Sequence, residues 1–266
     1  AKDVVEHAFA AHGLEGTYLH APARNISIAR NACLAVASAP LAAFVDDDET
    51  ARPDWLGKLI ERIEATKAGV VFGKVQAVYP PQAPAWMVKG DLHSTEAFFR
   101  DGAIEGGYTC NVILRRDAVG ALRFNPLFGR SGGEDTSFFG ELSRNGVFMA
   151  YAANAIVDEL VPPARFNLKW LTTRAFRSGQ SHALMLLDSG KKRPVVATTS
   201  MLKVLFCTGV AIGTLWSPAV WRRAAVRSPK PSSVSTASVS APMAGAGPPT
   251  VAGVSSISPP EERASA

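Results

Sequence analysis

The sequence predicts an α/β fold, a mixed and mostly parallel sheet flanked by helices, followed by a membrane-associated helical segment and a disordered tail. Three observations carry this. Short apolar runs alternate with segments of helical periodicity, the pattern of strands joined by crossover helices. One late stretch, Val204 to Trp221, has no charged residue over 18 positions and is flanked by Lys203 and by Arg222 and Arg223. Beyond it, Ser, Pro, Ala and Gly fill 27 of the 39 positions from Ser228 to Ala266, a composition unable to build a core.

Taken in order, Val4, Val5, Ala8 and Phe9 recur at helical spacing across residues 2–12, and Gly13 is a plausible stop. Thr17 to His20 is a strand candidate closed by Pro22, and a helix is expected from Ser27 through Ala37. Leu41 to Val45 is an apolar run with the length of a buried strand. Pro53 to Lys67 carries one apolar stripe of Leu56, Leu59, Ile60 and Ile63, a helix expected to end at Gly69. Val70 to Tyr79 is the next strand. A loop with helical pieces runs from Pro80 through Trp86 to Gly102, and a strand follows the glycines Gly106 and Gly107, extending to Arg116. Gly132 and Gly133 precede Glu134 and Asp135, which open a helix reaching toward Asn145. Phe148 to Ala152 and Ala155 to Val157 are short closing strands. Arg165 to Leu187 is a helix in which Trp170 and Leu171 alternate with Arg174 and Arg177, a basic surface suited to a phosphate-bearing ligand or an anionic membrane. Val204 to Trp221 is at the short limit for a spanning helix; Gly209, Gly213 and Pro218 leave an in-plane helix and a buried one as alternatives.

The chemistry concentrates at Asp46-Asp47-Asp48-Glu49, four consecutive acids where the strand Leu41 to Val45 leaves the sheet. Ligands of open α/β sheets bind at the carboxyl ends of strands. Adjacent carboxylates repel, so gathering them there calls for a cation or strong donors. Hard oxygen ligands suit Mg²⁺ or Mn²⁺, which also bridge to phosphates. The other reading is a solvated turn whose acids favour the start of the next helix.

Composition narrows the classes. A net charge of +5, with basic residues spread rather than clustered with aromatics, argues against nucleic acid as a partner. Cys33, Cys110 and Cys207 have neither metal-ligand spacing nor a pairing pattern. The histidines show no ligand spacing.

Asn25-Ile26-Ser27-Ile28-Ala29-Arg30-Asn31, Phe44 to Glu49, Gly106 to Arg116 and Gly133 to Phe139 together resemble, in order and spacing, the family 2 glycosyltransferases. Ala21 to Asn25 and Arg174 to His182 resemble the bacterial exopolysaccharide members of the succinoglycan glucosyltransferase type. The resemblance covers roughly residues 1 to 185. It implies a GT-A-like, Rossmann-like fold in which Asp46 and Asp48 hold Mg²⁺ or Mn²⁺ against the diphosphate of a UDP-sugar, UDP-glucose by this likeness. Asp47 would touch the donor, and Arg30 would help secure its nucleotide. Asp135 would be the general base of an inverting transfer, with Glu134 orienting it or binding the acceptor; by itself Asp135 also reads as a helix cap. Gly106, Gly107 and Asn111 would frame the acceptor, and Trp86 would stack on a sugar. Processive relatives carry Gln-x-x-Arg-Trp after the base; Arg177 to Gln180 departs from it, favouring single additions.

The expected organisation is a catalytic domain over residues 1–187, a basic-flanked membrane segment over 188–227 and a tail over 228–266. The resemblance also implies first strands that this chain lacks, leaving a sheet edge exposed and donor binding by this chain alone weak or absent. The expected activity is hexosyl transfer to a lipid-linked oligosaccharide at the cytoplasmic face of the inner membrane, with peripheral or single-pass attachment. A nucleotidyl- or phosphotransferase would need a Gly-x-x-x-x-Gly-Lys-Ser/Thr loop, which is missing. A catalytically impaired, membrane-attached sugar-binding or scaffold protein is the alternative.

Overall fold

The computed structural model describes residues 2–100, 102–188, 190–213 and 251–256. In chain order its elements are α1 (Lys2–Ala11), α2 (Ile26–Val36), β1 (Leu41–Asp46), β2 (Glu49–Ala51), α3 (Trp55–Thr66), β3 (Val70–Val78), α4 (Ala85–Gly90), β4 (Phe98–Arg100), β5 (Ala103–Gly106), β6 (Asn111–Arg115), α5 (Arg116–Val119), α6 (Glu134–Arg144), β7 (Met149–Leu160), a 3-10 turn (Pro163–Arg165), α7 (Leu168–Asp188), α8 (Arg193–Gly213) and β8 (Val251–Ser256). The helices expected between residues 2 and 187 and the main strands are present, with ends shifted by a few residues.

The main sheet has the order β2-β7-β3-β6-β1-β8. It is mixed: β1, β8, β3 and β7 run one way, while β6 and β2 are antiparallel to their neighbours. Alternation along β1 builds two cores. Ala42 and Phe44 face Leu34 of α2 and Phe138, Phe139 and Leu142 of α6. Leu41 and Ala43 face Leu59 and Ile63 of α3. Helices therefore cover both faces, which explains why β1 and the first half of β3 are continuously apolar. Phe44, Phe72, Phe124, Phe138 and Phe139 are fully buried, and the Phe124 and Phe138 rings stack at 4.0 Å. Each such burial contributes roughly 1.5–3 kcal/mol, so the strand end that carries Asp46 rests on a stiff aromatic layer.

Several expectations are corrected. Thr17 to His20 forms no strand. The two short closing strands are one, β7, whose register against β3 skips from Gly73↔Ala152 to Lys74↔Ile156. The amide of Asn111 donates to Ala155 O at 3.0 Å and to Lys74 O at 2.9 Å, filling this bulge. α3 ends on Lys67 in the left-handed region (φ 55°), not on Gly69; Gly69 is needed for space, since a Cβ there would lie 2.5 Å from Val147. The tail is not wholly without structure. Val251–Ser256 pairs in parallel with all six residues of β1, supplying partners for backbone groups that the outer edge of β1 would otherwise leave unpaired. Among the described residues no helix is long and apolar enough to cross a membrane. Residues 214–221 of the uncharged stretch lie outside the described residues, as do 222–250 and 257–266.

Candidate active site

The site begins with α2. Asn25 caps it by accepting from Ile28 N at 3.2 Å. Asn25 Nδ2 donates to Pro126 O, Ser27 Oγ to Asn125 O and Asn31 Nδ2 to Phe124 O, each at 2.9 Å, while Phe124 N donates back to Asn31 Oδ1 at 2.8 Å. These bonds stitch α2 to the loop leading into Gly132 and Gly133. Both glycines have positive φ (86° and 97°), which turns the chain so that α6 opens on Glu134 and Asp135 opposite Arg30.

Arg30 is 2% exposed and lies among three carboxylates. Nη1 donates to Glu134 Oε1 at 2.6 Å and to Asp135 Oδ1 at 2.7 Å, and Nη2 lies 3.6 Å from Asp46 Oδ1. Its carbon sits 5.7 Å from the centroid of Phe124. The four groups connect the carboxyl end of β1 to the start of α6. Asp135 has a second partner that its own motif did not signal: Thr109 Oγ1 donates to Oδ1 at 3.0 Å and Thr109 N donates to Oδ2 at 3.3 Å. Oδ1 thus accepts two strong donors, and Oδ2 keeps a lone pair able to receive a proton. Burial, then the Asp135 charge, pushes Glu134 up to about 7, with Arg30 opposing.

The acidic tetrad is divided. Asp46 ends β1, Asp47 and Asp48 are exposed in a tight turn, and Glu49 opens β2, pointing its carboxylate back to Asp46 N at 3.4 Å. Burial and the neighbouring Asp46 push Glu49 up to about 9. β2 lies between this turn and the start of α3. Asp48 instead meets Arg165, whose Nη2 lies 3.7 Å from Oδ2. Arg165 and Arg174 both lie 5.3 Å from the Trp170 ring centroid, and His93 stacks on the same ring at 5.4 Å. The basic surface at the start of α7 therefore reaches the acidic turn.

A cavity of about 750 Å³ opens beside this cluster, lined by Arg24, Ile26, Gly129, Arg130, Gly132 and Glu134 among others. Other sequence-derived candidates are differently placed. Asn111 is 1% exposed and its amide is spent on Lys74 O, Ala155 O and Trp55 Nε1, so it braces the sheet. Gly107 makes room for Phe72, whose ring would lie 2.5 Å from a Cβ there, and Gly106 packs against Phe98 and Phe139. Trp86 is half-buried on α4 and does not line the cavity. Arg30, expected toward the donor, is buried with its Nη groups taken by carboxylates. Among the described residues no three His, Cys, Asp or Glu side chains converge as a preformed metal centre.

A mixed sheet layered by helices, with acids at one strand end facing a helix-borne carboxylate pair, is a GT-A-type glycosyltransferase fold. The chain belongs to glycosyltransferase family 2. Residues 2–123 match Glycosyl transferase family 2. The chain is 44% identical over 214 residues to the succinoglycan biosynthesis protein ExoM of Rhizobium meliloti, covering 79% of this chain and 69% of that protein. It is 25% identical over 183 residues to a glucosyl-dolichyl phosphate glucuronosyltransferase of Haloferax volcanii, covering 61% and 56% respectively. Among solved structures, the mannosyltransferase PcManGT of Pyrobaculum calidifontis, in complex with GDP-Man and Mn²⁺, shares the fold with a TM-score of 0.50 at 15% identity, covering 85% of this chain and 72% of that one.

Proposed function

We propose that this chain catalyses inverting transfer of a hexose, glucose, from a UDP-sugar to a lipid-linked oligosaccharide in the synthesis of a succinoglycan-like exopolysaccharide. The observation that carries the reading is Asp135: a carboxylate with Oδ1 fixed by Arg30 and Thr109, adjoining Glu134, which lines a cavity of about 750 Å³. The succinoglycan biosynthesis named for the Rhizobium protein supports the pathway.

In this reading Asp135 Oδ2 takes the proton of the acceptor hydroxyl as that oxygen attacks the anomeric carbon opposite the leaving diphosphate. Glu134, on the cavity wall, orients the acceptor and the base. Asp46 and Asp48 would hold Mg²⁺ or Mn²⁺, and Asp47 the donor's sugar or ribose. The fit is chemical: two hard carboxylates lie at one strand end, where burial and then the charge of Asp46 raise the Glu49 carboxyl to about 9, and oxygen ligands of this kind suit such an ion. The Mn²⁺ of the mannosyltransferase complex supports this. When bound, the ion offsets charge developing on the departing nucleoside diphosphate.

Attachment to the cytoplasmic membrane face is part of the same proposal. Met201, Leu202, Val204, Leu205 and Phe206 are all at least 60% exposed on α8, with Lys203 among them and Lys191, Lys192 and Arg193 at its start. A helix with apolar side chains and basic neighbours in this arrangement suits an anionic bilayer surface. Transfer from labelled UDP-glucose to a membrane lipid extract tests the activity. Loss with Asp48→Ala and on chelation supports the metal assignment; unchanged transfer in both contradicts it.

A further inference from the structure

Arg30 is not among the residues lining the cavity, is 2% exposed, and is held by Phe124 on its face and by carboxylates on both terminal nitrogens. Reaching it from solvent would mean breaking those contacts. A diphosphate is therefore a poor partner for it. Its contacts instead span two segments that are distant in sequence, the end of β1 at Asp46 and the start of α6 at Glu134 and Asp135. One rigid, planar group fixes both ends, a geometry that guanidinium suits better than ammonium.

We propose that Arg30 is a positioning residue for the base, acting through Asp135 and tying its orientation to that of the acidic strand end. The proposal rests on the reading of Asp135 as proton acceptor. Nη1 and the Thr109 hydroxyl hold Oδ1, and Oδ2, which accepts the Thr109 N–H at 3.3 Å, is the oxygen assigned to the acceptor's proton. The same nitrogen holds Glu134 Oε1, so the two neighbouring carboxylates are spaced by a shared donor instead of repelling freely. Nη2, facing Asp46, keeps the first residue of the acidic turn in line with them. Movement of this bridge by about 1 Å would misplace the base, an error that costs on the order of 100-fold in rate.

The test measures kcat and donor KM separately for the wild-type protein, Arg30→Met, Arg30→Lys, Asp135→Asn and the double variant Arg30→Met/Asp135→Asn. Arg30→Met is expected to lower kcat about 100-fold with donor KM changed less than about threefold, and Arg30→Lys to recover part of the loss. The double variant is expected to be no slower than Asp135→Asn, because Arg30 has no base left to position. A raised donor KM at unchanged kcat, or losses that multiply in the double variant, overturns the proposal while leaving the base assignment standing. Wild-type rates in Asp135→Asn overturn the base assignment, and this proposal with it. If Arg30→Met does not fold, Arg30→Lys, which keeps the charge, carries the same kcat and KM comparison.

Discussion

Thr109 holds Asp135 with both of its donors, the hydroxyl to Oδ1 at 3.0 Å and the backbone N–H to Oδ2 at 3.3 Å. Thr109 is fully buried, so these donors face no competition from water. Its side chain is the part that mutation can remove. Thr109→Val keeps the shape and deletes one donor to a charged acceptor, a loss of about 1.5–3 kcal/mol where the bond matters. Transfer is expected to fall roughly 10- to 100-fold in kcat on that basis, with Thr109→Ser close to wild type. Steady-state kinetics on both variants checks this.

Glu134 yields a pH prediction with a definite sign. Its carboxyl is raised from an ordinary value of 4.5 to about 7. Between those values the folded protein retains a proton that the unfolded chain releases, so stability from this group is greatest below pH 4.5 and falls as pH rises to about 7. Glu134→Gln cannot ionise. The melting temperature of that variant relative to wild type is therefore expected to increase from pH 5 to pH 8, as scanning calorimetry across this window would show.

Asn111 is expected to matter for stability and not for acceptor recognition. Asn111→Leu leaves Trp55 Nε1 and the carbonyls of Lys74 and Ala155 without this partner. Unpaired buried groups cost about 1–3 kcal/mol each, so urea unfolding should show a loss of at least about 2 kcal/mol. Acceptor KM in the folded variant should be unchanged.

Gly107→Ala tests whether that glycine serves packing. The added Cβ would meet the Phe72 ring at 2.5 Å, in a core layer where overpacking costs about 1–3 kcal/mol. Shortening the obstacle with Phe72→Leu should recover part of the loss in the double variant, measured by the same unfolding curves.

Much of the fold was legible because it is encoded locally. The apolar run of β1, the stripe of α3 and the acids after Gly133 each specify an element within a few residues. The bulge in β7, the pair β4 and β5 and the strand β8 were not legible, since each depends on partners far along the chain. In the site, Asp46 and Asp135 were visible as motifs, whereas Thr109 has no signal of its own because its partner lies 26 residues away. Arg30 did carry a signal. Ser27, Arg30 and Leu34 recur at spacings of three and four and all are buried, so the arginine lies on the inward stripe of α2. A charge on such a stripe requires buried partners, and that pointed toward carboxylates before it pointed toward a nucleotide.

The central claim is that Asp135 accepts the proton during sugar transfer. Its most direct test is the rate of hexose transfer from UDP-glucose, with Mn²⁺ present, by folded wild-type protein and by Asp135→Asn, which keeps the shape and removes the basicity. A fall of about 100-fold or more, with donor KM nearly unchanged, is the predicted result. Equal rates in the two proteins would contradict it.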